Sequence, residues 1–205
     1  MTLATKAKPC DSQRAALQAV LQGREPTAAD AARLSVCEAT ILETLRLHPP
    51  AYMIGRCAAH DTTLPGAEQP SGVYSVPAGT TALVAPYLLH RDSRRWDRPS
   101  EFDPQRWLAG GANGEAPQSQ WRAALAGLGA NGAYLPFGGG PRNCIGTGFA
   151  MMEGLLLVAM ILQRWRLVPP DRDAAFPSPA PLITLRPERV ELRLRTRVTK
   201  SVSAL

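Results

Sequence analysis

Apolar residues three and four positions apart mark two amphipathic helices in the first quarter of the chain. One helix is predicted over residues 12–22, just before a glycine and a proline. A second is predicted to begin after Thr27, which forms a capping box with Asp30, and to continue to about Leu47. Its apolar stripe consists of Leu34, Cys37, Ile41 and Leu45. Each helix should therefore bury one face and leave the other to solvent.

The middle of the chain alternates short apolar segments with turn-forming residues, a pattern that is typical of short strands. Strands are predicted over residues 51–59 and 74–80, and a further apolar stretch covers residues 82–89. Residues 109–133 are rich in Gly, Ala and Asn. They are predicted to form a variable loop with one helical turn near residues 121–128.

The last third of the chain contains one apolar helix, predicted over residues 147–165. Coil is predicted over residues 169–181, followed by strands over 182–185 and 190–198. Apolar and polar residues alternate in the final strand, which predicts a half-buried strand in a terminal hairpin. Together these elements predict a chain that is mainly α with small β-sheets, in the α+β class. Residues 1–205 are enough for one domain with its own core, or for part of a larger one.

Composition places the chain among soluble globular proteins, since 45% of its residues are apolar and 20% are charged. The net charge of +6 is nearly all arginine. These basic residues are scattered and do not alternate with aromatic ones, so no nucleic-acid partner is indicated. A basic face for an acidic redox partner explains the charge equally simply.

The four cysteines lack C-x-x-C spacing, so neither a zinc site nor a disulfide framework is indicated. The longest apolar run, residues 154–162, is too short to span a bilayer, and the first residues lack the apolar core of a signal peptide. Cytoplasmic and membrane-associated locations both remain open.

The most distinctive stretch is residues 135–150, LPFGGGPRNCIGTGFA, which places one cysteine in a glycine-rich loop before the apolar helix. Consecutive glycines let the backbone turn tightly and approach a bulky group closely. A cysteine at a helix N-terminus is favoured as the thiolate, the form that binds metals. The loop alone leaves two interpretations open, namely a metal-binding thiolate and a buried structural cysteine beside a glycine hinge.

Within this loop Phe137, Gly140, Arg142, Cys144 and Gly146 read F-x-x-G-x-R-x-C-x-G. This pattern resembles the haem-binding loop of the cytochrome P-450 superfamily of haem-thiolate monooxygenases. The resemblance implies that haem b is the cofactor and that Cys144 is both the proximal iron ligand and the catalytic residue. A cysteine ligand of this kind favours O–O cleavage on the haem iron.

Two further segments resemble the same superfamily. Glu43 and Arg46 match its E-x-x-R element before a proline stop. Taken alone they would be a solvated ion pair on one helix face. Residues 102–107 resemble its aromatic-x-P-x-R-aromatic segment, which implies that Arg106 joins Glu43 and Arg46 in a structural triad.

The resemblance also assigns residues around the cofactor and the substrate. Arg142 and Arg56 are expected to pair with the haem propionates. The expected cofactor-binding residues are Cys144, Arg142, Arg56, Phe137, Gly138, Gly140 and Gly146. The expected substrate-pocket residues are Ala51, Tyr52, Met53, Ile54, Leu182 and Ile183. His90 stands alone at the end of an apolar segment and is predicted to be a hydrogen-bonded structural residue, not a metal ligand.

The implied activity is oxygen-dependent hydroxylation of a small organic substrate, with electrons from a flavoprotein reductase or a ferredoxin. The matched motifs belong to the C-terminal part of such enzymes. The central oxygen-activating helix and the N-terminal region are not recognised here, so the 205-residue chain is expected to be a partial, inactive enzyme. Two alternatives remain, a non-catalytic haem-binding remnant and a superfamily isomerase or dehydratase that needs no reductase.

Overall fold

A computed structural model describes residues 8–65, 72–108, 120–130, 132–170 and 177–197. The helices are α1 (Lys8–Leu21), α2 (Ser35–Leu47), α3 (Pro86–Leu89), α4 (Gln120–Ala130) and α5 (Thr147–Arg164). The strands are β1 (Ile54–Cys57), β2 (Thr62–Pro65), β3 (Val73–Val76), β4 (Thr81–Val84), β5 (Trp165–Val168), β6 (Pro179–Pro181), β7 (Leu185–Pro187) and β8 (Arg193–Thr196). This mixture of helices and small sheets confirms the predicted α+β class.

The described strands form four separate two-stranded antiparallel sheets. The pairs are β1 with β4, β2 with β3, β5 with β8, and β6 with β7. The predicted terminal hairpin is wrong, because β8 pairs with β5 and all four of its residues are exposed. The hairpin that does form joins β6 and β7, and β6 lies in a segment predicted as coil.

The main core lies where α1, α2 and α5 pack together. Its buried residues are Leu17, Leu21, Leu34, Cys37, Leu155, Ala159 and Leu162. On α5 the buried positions recur every three or four residues, which is why this helix can lie across both of the others. Burial raises the pKa of the Cys37 thiol to about 12, so Cys37 is a neutral packing residue.

The helix predicted from Thr27 to Leu47 is interrupted. The capping box forms, but it begins a 3₁₀ helix, Ala28–Arg33. The buried Asp30 carboxylate accepts hydrogen bonds from Arg24 at 2.6 and 2.7 Å and from the Thr27 N–H at 2.9 Å. Leu34 then enters the core in a non-helical conformation, and α2 starts afresh after it. The predicted helix is therefore broken at Leu34, between the hydrogen bonds of Asp30 and the start of α2.

A three-turn helix, α4, occupies part of the predicted variable loop. The helical turn predicted near residues 121–128 is thus part of a longer helix. Residues 109–119 lie outside the described part of the chain. Trp121, Leu125 and Leu128 pack against a second core cluster around Trp96 and Tyr134. The Glu38 carboxylate accepts a hydrogen bond from the Trp121 N–H at 2.8 Å and so satisfies the start of α4.

Within the described residues, α5 is the one helix long and apolar enough to cross a membrane by length and composition. Its Met151, Leu155, Ala159 and Leu162 side chains are buried in the protein interior. A core helix passes the same test, because packing against other helices also selects apolar residues.

Candidate haem site around Cys144

The cysteine loop begins directly after the buried residue Tyr134 and folds back on itself. Gly138 and Gly140 adopt positive φ angles of 81° and 67°, a conformation that residues with a Cβ rarely take. The Cys144 N–H donates a hydrogen bond to the Phe137 carbonyl at 3.0 Å. These features hold the cysteine in a tight, defined turn.

Cys144 lies three residues before the first residue of α5, and its side chain is exposed. Its carbonyl accepts a hydrogen bond from the Thr147 hydroxyl at 2.7 Å. Gly146 occupies the N-cap position and supplies no capping side chain. An anion near this helix start is favoured by the helix dipole and by unpaired N–H groups.

The residues around the thiol suit a haem. Ile145 is fully exposed and Phe149 is 74% exposed, so apolar surface adjoins the thiol. A Cβ on Gly146 would lie 3.8 Å from the Cys144 sulfur, so the glycine leaves the space beside the sulfur open. Within the described residues no group of three or more His, Cys, Asp or Glu side chains could hold a metal ion. A single thiolate would be sufficient to hold the iron of a haem, because the porphyrin would supply the other protein-independent ligands.

Strand β1 lies beside the cysteine loop. A Cβ on Gly138 would be 3.8 Å from the Ile54 side chain. Arg56 and Arg142 are both exposed, and within the described residues neither guanidinium is part of an ion pair. The Arg56 side chain donates to the Gly55 carbonyl at 2.8 Å.

The two segments assigned to the substrate pocket lie next to each other. The Tyr52 hydroxyl donates to the Leu182 carbonyl at 3.1 Å. The Leu185 N–H donates to the Pro50 carbonyl at 2.9 Å. Met53, Leu182 and Ile183 are exposed, so these side chains are available for contact.

Glu43 and Arg46 form a buried, bidentate ion pair, with both N–O distances at 2.9 Å and neither side chain exposed. The Glu43 carboxylate also accepts hydrogen bonds from Arg106 Nε at 3.1 Å, the Trp107 indole at 2.9 Å and the Asp103 N–H at 2.8 Å. Burial alone would raise the pKa of Glu43, but hydrogen bonds from Arg46, Asp103 and Trp107 bring it below its ordinary value. A solvated ion pair is therefore the wrong interpretation of Glu43 and Arg46.

Arg46 uses its remaining N–H groups to hold the segment between α3 and residue 101. It donates to the backbone carbonyls of His90, Pro99 and Glu101 at 2.8, 2.7 and 2.9 Å. Its guanidinium lies 5.2 Å from the centre of the Trp96 ring. One side chain on α2 thus fixes a segment that is about 50 residues further along the chain.

His90 is buried and hydrogen-bonded, and within the described residues it belongs to no metal-binding group. Its Nδ1 atom lies 3.1 Å from the Arg46 carbonyl oxygen, and its Nε2 atom lies 2.7 Å from the Leu135 nitrogen. Burial is the main cause that lowers the pKa of His90 to about 4, so the ring is neutral near pH 7.

Tyr134 was not singled out from the sequence, although it anchors the start of the cysteine loop. It is fully buried, and its hydroxyl donates to the Leu42 carbonyl at 2.9 Å. Its ring contacts Trp107, with ring centres 4.9 Å apart. The only local signal for this role is an aromatic residue directly before the cysteine loop, and this signal is not specific.

Residues 9–194 match the family model described as Cytochrome P450. Cyclooctatin synthase of Streptomyces melanosporofaciens is 38% identical over 83% of this chain and 33% of that protein. Pentalenene oxygenase of Streptomyces avermitilis is 36% identical over 88% of this chain and 35% of that protein. Leukotriene-B4 omega-hydroxylase 3 of Mus musculus is 34% identical over 85% of this chain and 30% of that protein. The chain thus spans about a third of the length of these curated relatives.

A solved zebra fish cytochrome P450 structure, described with abiraterone, superimposes with a TM-score of 0.74. It is 30% identical in sequence, and the match covers 95% of this chain and 42% of that one. The structural likeness extends the sequence match to nearly all of the chain. The protein belongs to the cytochrome P450 family of haem proteins.

Proposed function

We propose that this chain provides the thiolate side of a haem monooxygenase site, with Cys144 as the iron ligand. The observation that carries the proposal is the exposed Cys144 side chain at the start of α5, beside exposed Ile145 and Phe149. Bound haem supplies oxygen activation, and a cysteine ligand favours O–O cleavage. The names of the relatives, which include an oxygenase and an omega-hydroxylase, support oxidation of an organic substrate.

The chain's own residues would act by holding the thiolate and covering the cofactor. Gly138 and Gly140 permit the tight turn, and the Cys144 N–H bond to Phe137 fixes the backbone under the sulfur. The 18-residue helix α5 directs its positive end toward the thiolate. Arg142 and Arg56 are exposed and form no ion pair within the described residues. Their guanidinium groups suit the two propionates, because such pairs are charge-assisted and often bidentate.

The buried cluster of Glu43, Arg46 and Arg106 is proposed to be structural. Its atoms lie within the interior and not at the exposed thiol. The segment of Ala51, Tyr52, Met53 and Ile54 and the adjoining Leu182 and Ile183 are proposed to contact the substrate. Electrons for a monooxygenase would come from a flavoprotein reductase or a ferredoxin.

The test is to load the chain with haem and to compare the Cys144→Ser and Cys57→Ser variants. Both cysteines are exposed, so the second variant is a matched control. We expect the reduced carbon monoxide complex of the parent and of Cys57→Ser to show the red-shifted Soret band of thiolate ligation. Cys144→Ser should lose this band. A Cys144→Ser protein that keeps it would show that Cys144 is not the ligand.

A further inference from the structure

The His90 side chain connects helix α2 to the cysteine loop. The ring lies between the C-terminal end of α2 and the first residue of the cysteine loop. In return, the Arg46 guanidinium donates to the His90 carbonyl at 2.8 Å. His90 and Arg46 are therefore joined by two reciprocal hydrogen bonds, one from each side chain to the other's backbone.

The hydrogen-bond partners determine the tautomer of the His90 ring. The Leu135 nitrogen carries a hydrogen and can only donate, so Nε2 must accept that bond at 2.7 Å. The Arg46 carbonyl can only accept, so Nδ1 must carry the ring proton and donate it across 3.1 Å. A neutral ring with its proton on Nδ1 satisfies both bonds, and no other protonation state does.

The bond to Leu135 reaches Cys144 through two further backbone contacts. The Leu135 carbonyl accepts a hydrogen bond from the Gly138 N–H at 3.2 Å. The Phe137 carbonyl accepts one from the Cys144 N–H at 3.0 Å. Displacement at Leu135 would therefore move both ends of the turn that presents the thiol.

We propose that His90 is a positioning residue for Cys144, which it serves by fixing the cysteine loop to α2 through Nε2 and Leu135. The proposal rests on the proposed function in one respect, since the importance of the position follows from Cys144 being the iron ligand. The two ring nitrogens make separate bonds, so their contributions can be separated by substitution.

The experiment uses amide hydrogen exchange in the full 205-residue chain without haem. Glutamine at position 90 can place an oxygen near the Nε2 position and accept the Leu135 bond. Asparagine reaches only the Nδ1 position, so it can keep the hydrogen bond to the Arg46 carbonyl but cannot accept the one from the Leu135 N–H. His60→Asn is the matched control, because His60 is exposed.

In the His90→Asn variant we expect the amide hydrogens of Leu135 and Cys144 to exchange about tenfold faster than in the parent chain. This is the effect of losing one buried hydrogen bond. His90→Gln and His60→Asn should stay close to the parent chain at both amides. Amides of the buried α5 residues Leu155 and Ala159 serve as the measure of overall stability and should not change. Equal acceleration in the Asn and Gln variants, or acceleration that α5 shares, would overturn the proposal.

The parent chain offers a second measurement that needs no variant. Nitrogen chemical shifts of the His90 ring should show the proton on Nδ1, and a coupling across the hydrogen bond should join Nε2 to the Leu135 nitrogen. A proton on Nε2 at pH 7 would overturn the proposal.

With haem bound, His90→Asn should show a smaller fraction of the thiolate-type band, and His90→Gln should restore it. Loss of that band equally in both variants would contradict a role through Leu135. The Cys144→Ser comparison separates the two hypotheses. If that variant keeps the band, the ligand assignment fails while the exchange result still decides the role of His90 in the loop.

Discussion

One carboxylate, Glu43, accepts hydrogen bonds from four different residues while it is completely excluded from water. A buried charge is tolerated only when its partners match it, so loss of one member leaves the others unpaired. The arrangement makes Glu43 a residue whose replacement affects several parts of the chain at once.

Glu43→Ala is expected to lower the free energy of unfolding by about 3–5 kcal/mol, because it leaves Arg46 buried without its counter-charge. Urea denaturation followed by circular dichroism measures the change. Glu101→Ala is the control, since the side chain of Glu101 is 62% exposed in its ion pair with Arg98. It should cost less than about 1 kcal/mol. Equal losses in the two variants would show that burial of the Glu43 pair has no special energetic weight.

The lowered pKa of His90 predicts a loss of stability in mild acid. An unfolded histidine binds a proton near its ordinary pKa of 6.5, whereas folded His90 does so only near 4. The unfolded chain therefore binds more protons between these values, and stability falls as the pH falls from about 6.5 to about 4. Nearby Arg46 and Arg91 also disfavour the charged ring.

Once the pH is below about 4, the loss in the free energy of unfolding is on the order of 3 kcal/mol. Above pH 7 no loss from His90 is expected. Urea unfolding at several pH values measures it. His90→Gln removes this titration, so its stability should depend less on pH across the same range. An unchanged slope in that variant would assign the acid sensitivity to other groups, such as His48.

Cys37, Cys57 and Cys144 should differ in their reaction with a maleimide. In a Cys10→Ser background, Cys57 and Cys144 are exposed and should react quickly, while buried, neutral Cys37 should not. Addition of haem should protect Cys144 and leave Cys57 reactive. Mass spectrometry of the labelled peptides measures the reaction at each cysteine. If haem protected Cys57 and Cys144 equally, it would bind without a specific contact to Cys144.

At the scale of helices and strands, elements with a local signal were predictable and elements held by distant residues were not. The stripe on α2 and the apolar run of α5 depend on neighbouring positions, so periodicity located both. The F-x-x-G-x-R-x-C-x-G spacing likewise located the loop. The sequence predicts only one turn of helix α4, because the N-terminal partner of this helix, Glu38, lies 83 residues earlier in the chain. Strand β8 pairs with β5, and no turn signal joins the two.

The contact between Glu38 and Trp121 predicts a specific weakness of α4. Glu38→Ala removes the carboxylate that accepts from the Trp121 N–H, which should lower the protection of the first α4 amides about tenfold. Glu38→Gln keeps an acceptor oxygen and should lose less. Hydrogen exchange resolved by mass spectrometry measures both, and identical protection in the parent and Glu38→Ala chains would exclude this capping role.

At the scale of the whole molecule, many large apolar side chains face solvent. Fifteen large apolar side chains are exposed in the described part of the chain, among them Ile145, Phe149 and Ile183. Extended apolar surface in soluble proteins marks a site that binds a ligand or another protein segment. Part of this surface adjoins the cysteine loop, where the haem is proposed to bind.

The 205-residue chain should therefore bind the hydrophobic dye ANS strongly, and haem should displace part of the dye. Replacing both Ile145 and Phe149 by Ser should lower the dye fluorescence and abolish the effect of haem. Leu64→Ser, on strand β2, is the control and should leave the haem-sensitive part intact. Dye displacement that survives the double substitution would place the haem-covered surface elsewhere.

The hydrogen bonds of Glu43 also bear on the order in which the chain folds. Asp103 and Trp107 reach this carboxylate from 60 and 64 residues further along the chain. Closing a loop of that length costs roughly 4 kcal/mol of chain entropy before any bond forms. Local helices such as α5 form early, since their contacts need no such closure. The charged cluster should therefore assemble late, and Glu43 would remain hydrated in the folding transition state. Replacement of Glu43 should mainly accelerate unfolding and leave the refolding rate nearly unchanged.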